Sequence, residues 1–442
     1  MNLNQETNYK SQPATSNTQG PTTKVPELMA PAGNWTMLRG VVKAGANAVY
    51  FGVDQLNMRA KAKNFQVDNL PEIVKYCKEK NVKTYLTINT IIYEDEIQQA
   101  YELIGKAKAA AIDMIICWDL SIIELCNKVN MPFAVSTQAS VSNSASVEMY
   151  KKLGAKRVVL ARECYLEDIK KIKSKVDIEV ETFIHGAMCI AVSGRCFMSH
   201  EMFGKSANRG ECIQPCRREY EIVDKSTDKS LILGEDYVLS PEDLCSIEFI
   251  DQLIETGIDS FKIEGRKRSP EYAIKVVSVY RRAIDLYFSR KDGFPENKLT
   301  PEVKKELLQE LGEVYNRGFS TGFYFTPPGE KEYAGIYGSK ATTRKEFVGR
   351  ITNYFKKPHI TEIKLETGKL NVGDKILIIG ETTGVVELKI PNILFEDKPA
   401  EQVEKGNLFT IPCEELVRVR DSVYVVRQVE KNTAKLPGRI SS

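Results

Sequence analysis

The segment SFKIEGRKRSPEYAIKVVSVYRRAIDLY, Ser260–Tyr287, decides how the chain is read. Ser260–Ile263 is a short run suited to a buried strand. Ser269 then stands at a helix-cap position and Pro270 in the first turn, and Ala273, Val276, Val277, Tyr280, Ile284 and Tyr287 recur at helical spacing. A strand followed within a few residues by an amphipathic helix is one βα unit, the repeat from which parallel sheets are built.

Seven more strand-like runs lie upstream, at Glu27–Ala30, Ala48–Gly52, Lys83–Ile88, Met114–Cys117, Phe133–Ser136, Arg157–Leu160 and Glu179–Phe183, with helical patterns between them. Eight strands is the count of a TIM-like (β/α)8 barrel, so an α/β fold is expected over residues 25–292. A doubly wound open sheet competes, but no Gly-rich dinucleotide turn follows any of these strands. Residues 1–24 are polar and are expected to form a disordered tail. Residues 293–342 read as a connecting segment, and 343–432 as a small all-β barrel. In that last region FVGRITNYF, ITEIKLETG, LNVGDKILIIG and SVYVVRQV are strand-like and separated by Gly, Asp and Lys.

Between the seventh and eighth barrel strands the chain is far longer than an ordinary connection, and this insertion, residues 186–240, holds Cys189, Cys196, Cys212 and Cys216. Spread evenly, the 10 cysteines of 442 residues would place fewer than one in the 28 residues from Cys189 to Cys216. Four thiolates within reach of one point suit an iron–sulfur cluster or zinc. Structural zinc favours pairs of ligands two to four residues apart, and only Cys212 and Cys216 meet that spacing, so iron–sulfur is preferred and zinc stays the rival. A redox pair lacks its C-x-x-C. The other six cysteines, Cys77, Cys117, Cys126, Cys164, Cys245 and Cys413, sit in apolar contexts that suit buried free thiols.

The bulk composition restricts the function classes. Formal net charge is +3, so any nucleic-acid contact must come from local patches such as Arg217-Arg218, Arg266-Lys267-Arg268, Arg344-Lys345 and Lys356-Lys357. No secretory signal and no membrane-length apolar run is present, and a cytoplasmic protein is expected. Hydrolase motifs fare poorly. His200-Glu201-Met202 begins like a zincin signature without its second histidine, and Ser226–Lys229 matches S-x-x-K in a hydrophilic loop. Gly318–Gly322 matches the nucleophile-elbow string without the strand and helix an elbow needs, so Ser320 reads as a turn residue.

Reactive groups of a parallel barrel gather at the C-terminal ends of its strands. Asn89, Gln138, Arg162, Glu163, His185, Lys262, Glu264 and Arg266 fall at such ends and are expected to ring one cavity beneath the inserted cysteines.

Long stretches of the chain resemble a known family. ELMAPAGN (Glu27–Asn34), VSTQASVSN (Val135–Asn143), RVVLARE (Arg157–Glu163), FIHGAMCIAVSGRC (Phe183–Cys196), NRGECIQPCRREY (Asn208–Tyr220) and SFKIEGRKRSPEY (Ser260–Tyr272) are similar to the signature of peptidase family U32, the collagenase-like proteases. The resemblance runs from about Glu27 to Phe325 and is strongest to the branch of tRNA hydroxylation proteins. It implies a TIM-like barrel carrying a 4Fe–4S cluster on Cys189, Cys196, Cys212 and Cys216. It further implies prephenate-dependent hydroxylation of a wobble uridine to 5-hydroxyuridine, with the tRNA anticodon loop as partner and no membrane. Relatives act on 23S rRNA or a ubiquinone precursor. Some of the latter take a ligand from a later segment, and the corresponding Ser230–Tyr237 has no cysteine, which favours the RNA branch. The C-terminal β-barrel is similar to the second domain of translation elongation factors, which fits holding RNA or a plain structural role. A collagenase-like peptidase remains the alternative.

Prephenate is a dicarboxylate, so Arg162, Arg195 and Arg266, together with Gln138 and Lys262, are the substrate-binding candidates. His185 and Glu264 are the candidates for proton transfer at the mouth.

Overall fold

The computed structural model describes residues 24–58, 64–192, 195–218, 222–224, 229–231, 239–265, 268–291, 294–328 and 338–429. The expected N-terminal tail, apart from Lys24, lies outside these residues.

Eight parallel strands close into a barrel: β1 (Glu27–Pro31), β2 (Ala48–Phe51), β3 (Lys83–Thr87), β4 (Met114–Cys117), β5 (Phe133–Val135), β6 (Arg157–Val159), β7 (Glu179–Ala187) and β8 (Ser260–Ile263). Each pairs with the next, and β8 pairs with both β7 and β1, through Ser260–Glu181 and Ser260–Glu27. Helices α1 (Trp35–Lys43), α2 (Leu70–Lys78), α3 (Ile97–Ala109), α4 (Leu120–Lys128), α5 (Ser144–Lys152), α6 (Leu166–Lys173), α7 (Ile250–Glu255) and α8 (Pro270–Tyr287) follow their strands. Side chains alternate along the strands as the pleat demands. Met29, Tyr50, Tyr85, Met114, Ile116 and Ala134 belong to a separate inner cluster. Leu28, Ala30, Val49, Phe51, Leu86 and Ile115 join the larger core that includes the helices.

Local sequence explains the helix starts. Asn34 accepts a hydrogen bond from the Met37 amide at 2.9 Å, and Asp119 accepts one from Ser121 at 2.9 Å. Ser269 occupies the cap position of α8 in extended conformation but makes no side-chain capping bond, so Pro270, with its preset φ, is the stronger start signal there.

A second sheet begins at Thr343 and has a core of its own, including Ile351, Ile363, Leu365, Ile376, Ile378, Phe409 and Val423. Its eight strands are antiparallel, and a two-stranded ribbon pairs Lys369–Asn371 with Gln402–Glu404. Gly384–Lys389, a strand at its edge, packs on α1 and α8, and the Thr36 hydroxyl donates to the Gly380 carbonyl at 3.3 Å. Of the basic pairs there, Arg344 bridges to Glu346 and Lys345 to Glu271, while Lys356 and Lys357 are exposed.

Two departures from expectation shape the site. β7 runs to Ala187 rather than ending at Phe183, because Asp243–Cys245 pairs antiparallel along its end, with Cys245 opposite His185. Phe319–Ser320 then adds beside Asp243–Leu244. Ser320 is therefore in a two-residue strand, followed by a turn in which its hydroxyl accepts from the Gly322 amide at 3.3 Å, and no helix follows as an elbow would require.

Candidate active site

The barrel interior carries a column of charge. Near its base, at the start of β6, Arg157 is only 1% exposed and donates to Glu27 at 2.6 Å, Glu179 at 2.7 Å and Glu181 at 3.0 Å. Tyr85 and Ser260 also donate to Glu27, at 2.9 and 3.2 Å. Burial pushes the Glu27 carboxyl up, but the Arg157 and Lys83 charges outweigh it and hold the group below its ordinary value. One layer higher, Lys262 donates to the other oxygen of Glu181 at 2.8 Å and lies 4.5 Å from the centre of the Tyr50 ring. Above it Arg162 pairs with Glu264 at 3.1 Å and stacks 4.0 Å from the centre of the Phe183 ring.

This column opens into a cavity at the C-terminal end of the strands. Asn89, Gln138, Arg162, Lys262 and Glu264 line it together with Cys189, Cys196, Cys212 and Cys216. Residues as distant in sequence as Asn89 and Glu264 meet because successive strand ends converge there. The four cysteines are half-buried, whereas the other six are all buried in the core. The Cys196 sulfur accepts from the Met198 amide at 3.4 Å, and its own amide donates to Asn208 at 3.0 Å. Burial pushes the Cys216 thiol up to about 11, Arg217 works against this, and the sulfurs of Cys189, Cys212 and Cys196 add to it, so all four share one electrostatic neighbourhood. No three His, Cys, Asp or Glu side chains among the described residues converge tightly enough to hold a single metal ion. A cluster is a larger body in which the thiolates attach to separate irons. Four thiols on one cavity wall fit a cluster by donor type, as they fit zinc.

Three of the expected residues stand elsewhere. His185 is no part of the cavity wall. The register shifts where Lys262 pairs with Phe183 and Ile263 with His185, and this bulge turns the imidazole outward against Tyr272, Tyr280 and Phe319. It is 1% exposed, 3.4 Å from the Tyr280 hydroxyl, and burial with the Arg268 charge pushes it down to about 3. The imidazole, walled in by aromatic rings, thus stands off the cavity in which the proton-transfer expectation had it. Arg195 lines not this cavity but a neighbouring pocket, where its guanidinium lies 4.8 Å from the centre of the Trp118 ring. Glu163 does not line the cavity either, and Arg266 lies outside the described residues.

Sequence reading missed several wall residues. Tyr50, Thr87 and Phe183 face inward by strand alternation, a signal that was available. Arg217 belongs to the Arg217-Arg218 pair from which the sequence leads one to expect a basic patch. It is instead half-buried, donating to Ser240, the Pro241 carbonyl and the Met188 carbonyl, and so ties the middle of the cysteine insertion to its two ends. Gly186 has φ +113°, and a Cβ there would stand 2.5 Å from the Glu264 carbonyl oxygen, so glycine lets β7 and the segment after β8 approach closely.

A model of the family described as Peptidase family U32 matches residues 33–333. Over 412 residues the chain is 41% identical to an uncharacterized protease of Methanocaldococcus jannaschii, covering 91% of this chain and 98% of that one. It is 38% identical to a collagenase of Porphyromonas gingivalis, covering 90% and 97%. To tRNA hydroxylation protein P1 of Bacillus subtilis it is 39% identical over 365 residues, covering 81% and 84%. Because the family match spans nearly all of the barrel and the whole cysteine insertion, the chain belongs to peptidase family U32.

Proposed function

We propose that this protein hydroxylates RNA, converting the wobble uridine of tRNA to 5-hydroxyuridine with prephenate as co-substrate. Cys189, Cys196, Cys212 and Cys216 would hold a 4Fe–4S cluster for this reaction. The observation that carries the reading is the meeting of four half-buried thiols with fixed cations and amides in one cavity. A relative named for tRNA hydroxylation supports it. A cluster ligated in this way supplies one-electron transfer.

The chain's own groups supply the rest. Lys262 and Arg162 present positive charge to a carboxylate-bearing co-substrate, each anchored by a buried carboxylate that sets its position. Asn89 and Gln138 offer amides to the edge of a base taken out of its loop. Exchanging C5–H for C5–OH adds one oxygen atom and withdraws two electrons from the base; in this proposal prephenate surrenders a hydroxyl oxygen and is reduced by those two electrons, and the C5 proton leaves the carbon for a base. Glu264, at the cavity wall beside Arg162, is the carboxylate placed to take that proton.

Mass spectrometry of tRNA nucleosides from a deletion strain tests this reading. Wobble hydroxyuridine should vanish on deletion and return with the wild-type gene but not with Cys196→Ala. Unchanged hydroxyuridine in the deletion strain refutes it. Two relatives carry protease names, so gelatin cleavage is the parallel assay. Cleavage that survives loss of Cys196 would favour the peptidase alternative.

A further inference from the structure

The pocket beside the cysteine cavity has a chemistry of its own. Trp118, Arg195, Phe197 and Asn208 line it, and Asn89 and Gln138 line both spaces. It holds about 190 Å³, several times the ~30 Å³ share of one water. The Trp118 indole is fixed by donating to the Asn89 carbonyl at 3.0 Å, and Arg195 is fixed over it by donating to the Gln138 carbonyl at 2.5 Å. Phe197 stands 73% exposed, so its ring presents a free apolar face and adds little to the core.

We infer that this pocket receives the nucleotide next to the one being modified, its base stacked on the Trp118–Arg195 and Phe197 planes. The inference rests on the RNA reading above and deepens it. Single-stranded RNA is held by just such aromatic and guanidinium planes, with amides reading base edges. The shared residues set the two occupants side by side, as consecutive nucleotides of one strand are. Aromatic–arginine pairing continues at the wall, where Arg209 donates to the Ile91 carbonyl and lies 4.7 Å from the Tyr93 ring centre. An extended peptide would instead look for a free strand edge, and this pocket is walled by side chains.

The chain has two tryptophans, Trp35 and Trp118, so Trp35→Phe leaves Trp118 as sole reporter. The full-length protein is titrated with a synthetic anticodon stem-loop carrying uridine at the wobble position, following anisotropy and Trp118 emission together. Binding should quench Trp118. An abasic site at one flanking position should abolish the quench and weaken binding by about 5- to 150-fold, the range that one lost stacking contact spans. Phe197→Ala, a change at an exposed side chain, should weaken binding with the melting temperature unchanged. Tight binding with unaltered Trp118 emission, indifferent to abasic sites on either side, overturns the subsite and leaves the hydroxylase reading standing. Absence of RNA binding, or quenching by a collagen-derived peptide alone, overturns both.

Discussion

Arg157→Met is the most informative single change in the barrel. The guanidinium serves three carboxylates from a position 1% exposed, and methionine keeps much of its volume while removing the charge. Breaking a buried ion pair on one side costs about 3–5 kcal/mol, because the abandoned partners stay buried and charged. The surroundings favour the lower end. Glu181 keeps Lys262 at 2.8 Å, Glu27 keeps Lys83 at 3.1 Å and Tyr85 at 2.9 Å, and the Glu179 side chain is 40% exposed and can be hydrated. A loss of about 3 kcal/mol should lower the melting temperature by roughly 6–12 °C. The pH dependence gives the sharper test. In the wild type the Glu27 carboxyl lies below its ordinary 4.5, so its stabilising contribution is complete above that value and is lost as pH falls through the lower, folded-state one. Without Arg157, burial dominates and the carboxyl rises, so folding takes up a proton and the variant gains stability as pH falls from 7 toward 5. Urea unfolding followed by circular dichroism at pH 7 and pH 5 measures both effects. A loss below about 1 kcal/mol, or a gap to wild type that does not narrow at pH 5, refutes the reasoning.

Three further outcomes are expected. Alanine at any of Cys189, Cys196, Cys212 or Cys216 should remove bound iron and visible absorbance, whereas Cys126→Ala, in the core, should keep iron and cost about 1 kcal/mol of stability, as metal analysis and thermal melting would report. Arg162→Lys keeps the charge but loses the planar fork stacked on Phe183, so KM for prephenate should rise about tenfold or more while the melting temperature changes little. His185→Gln should leave the pH profile of hydroxylation unaltered, since the imidazole does not face the cavity. In the wild type its folded value of about 3 lies below the ordinary 6.5, so stability falls with acid across that window by up to about 1.4 kcal/mol per pH unit, and the variant's acid branch should be flatter.

The barrel strands were legible because each run is short and rich in apolar residues, with helical spacing between runs and start signals at Asn34, Asp119 and Pro270. The cysteine cluster was legible because four thiols in one insertion far exceed chance. The facing of side chains near the top of β7 was not. Strand alternation carries Glu181 and Phe183 inward, but the register shift that follows depends on how β7 meets β8, and no residue in FIHGA announces it. For the same reason the inward bonding of Arg217 could not be read from the basic pair in which it stands, because its acceptors are a hydroxyl and two carbonyls supplied by other segments.

Local order along the chain thus determined which elements form and which residue types are available for chemistry, since helix and strand periods are set by neighbours a few positions apart. Only the closed barrel decided which of those groups share a cavity. Lys262, Arg162 and four thiols meet there, while His185 turns away and Arg195 enters the adjoining pocket, because facing and distance at the strand ends are fixed by pairing between segments far apart in sequence.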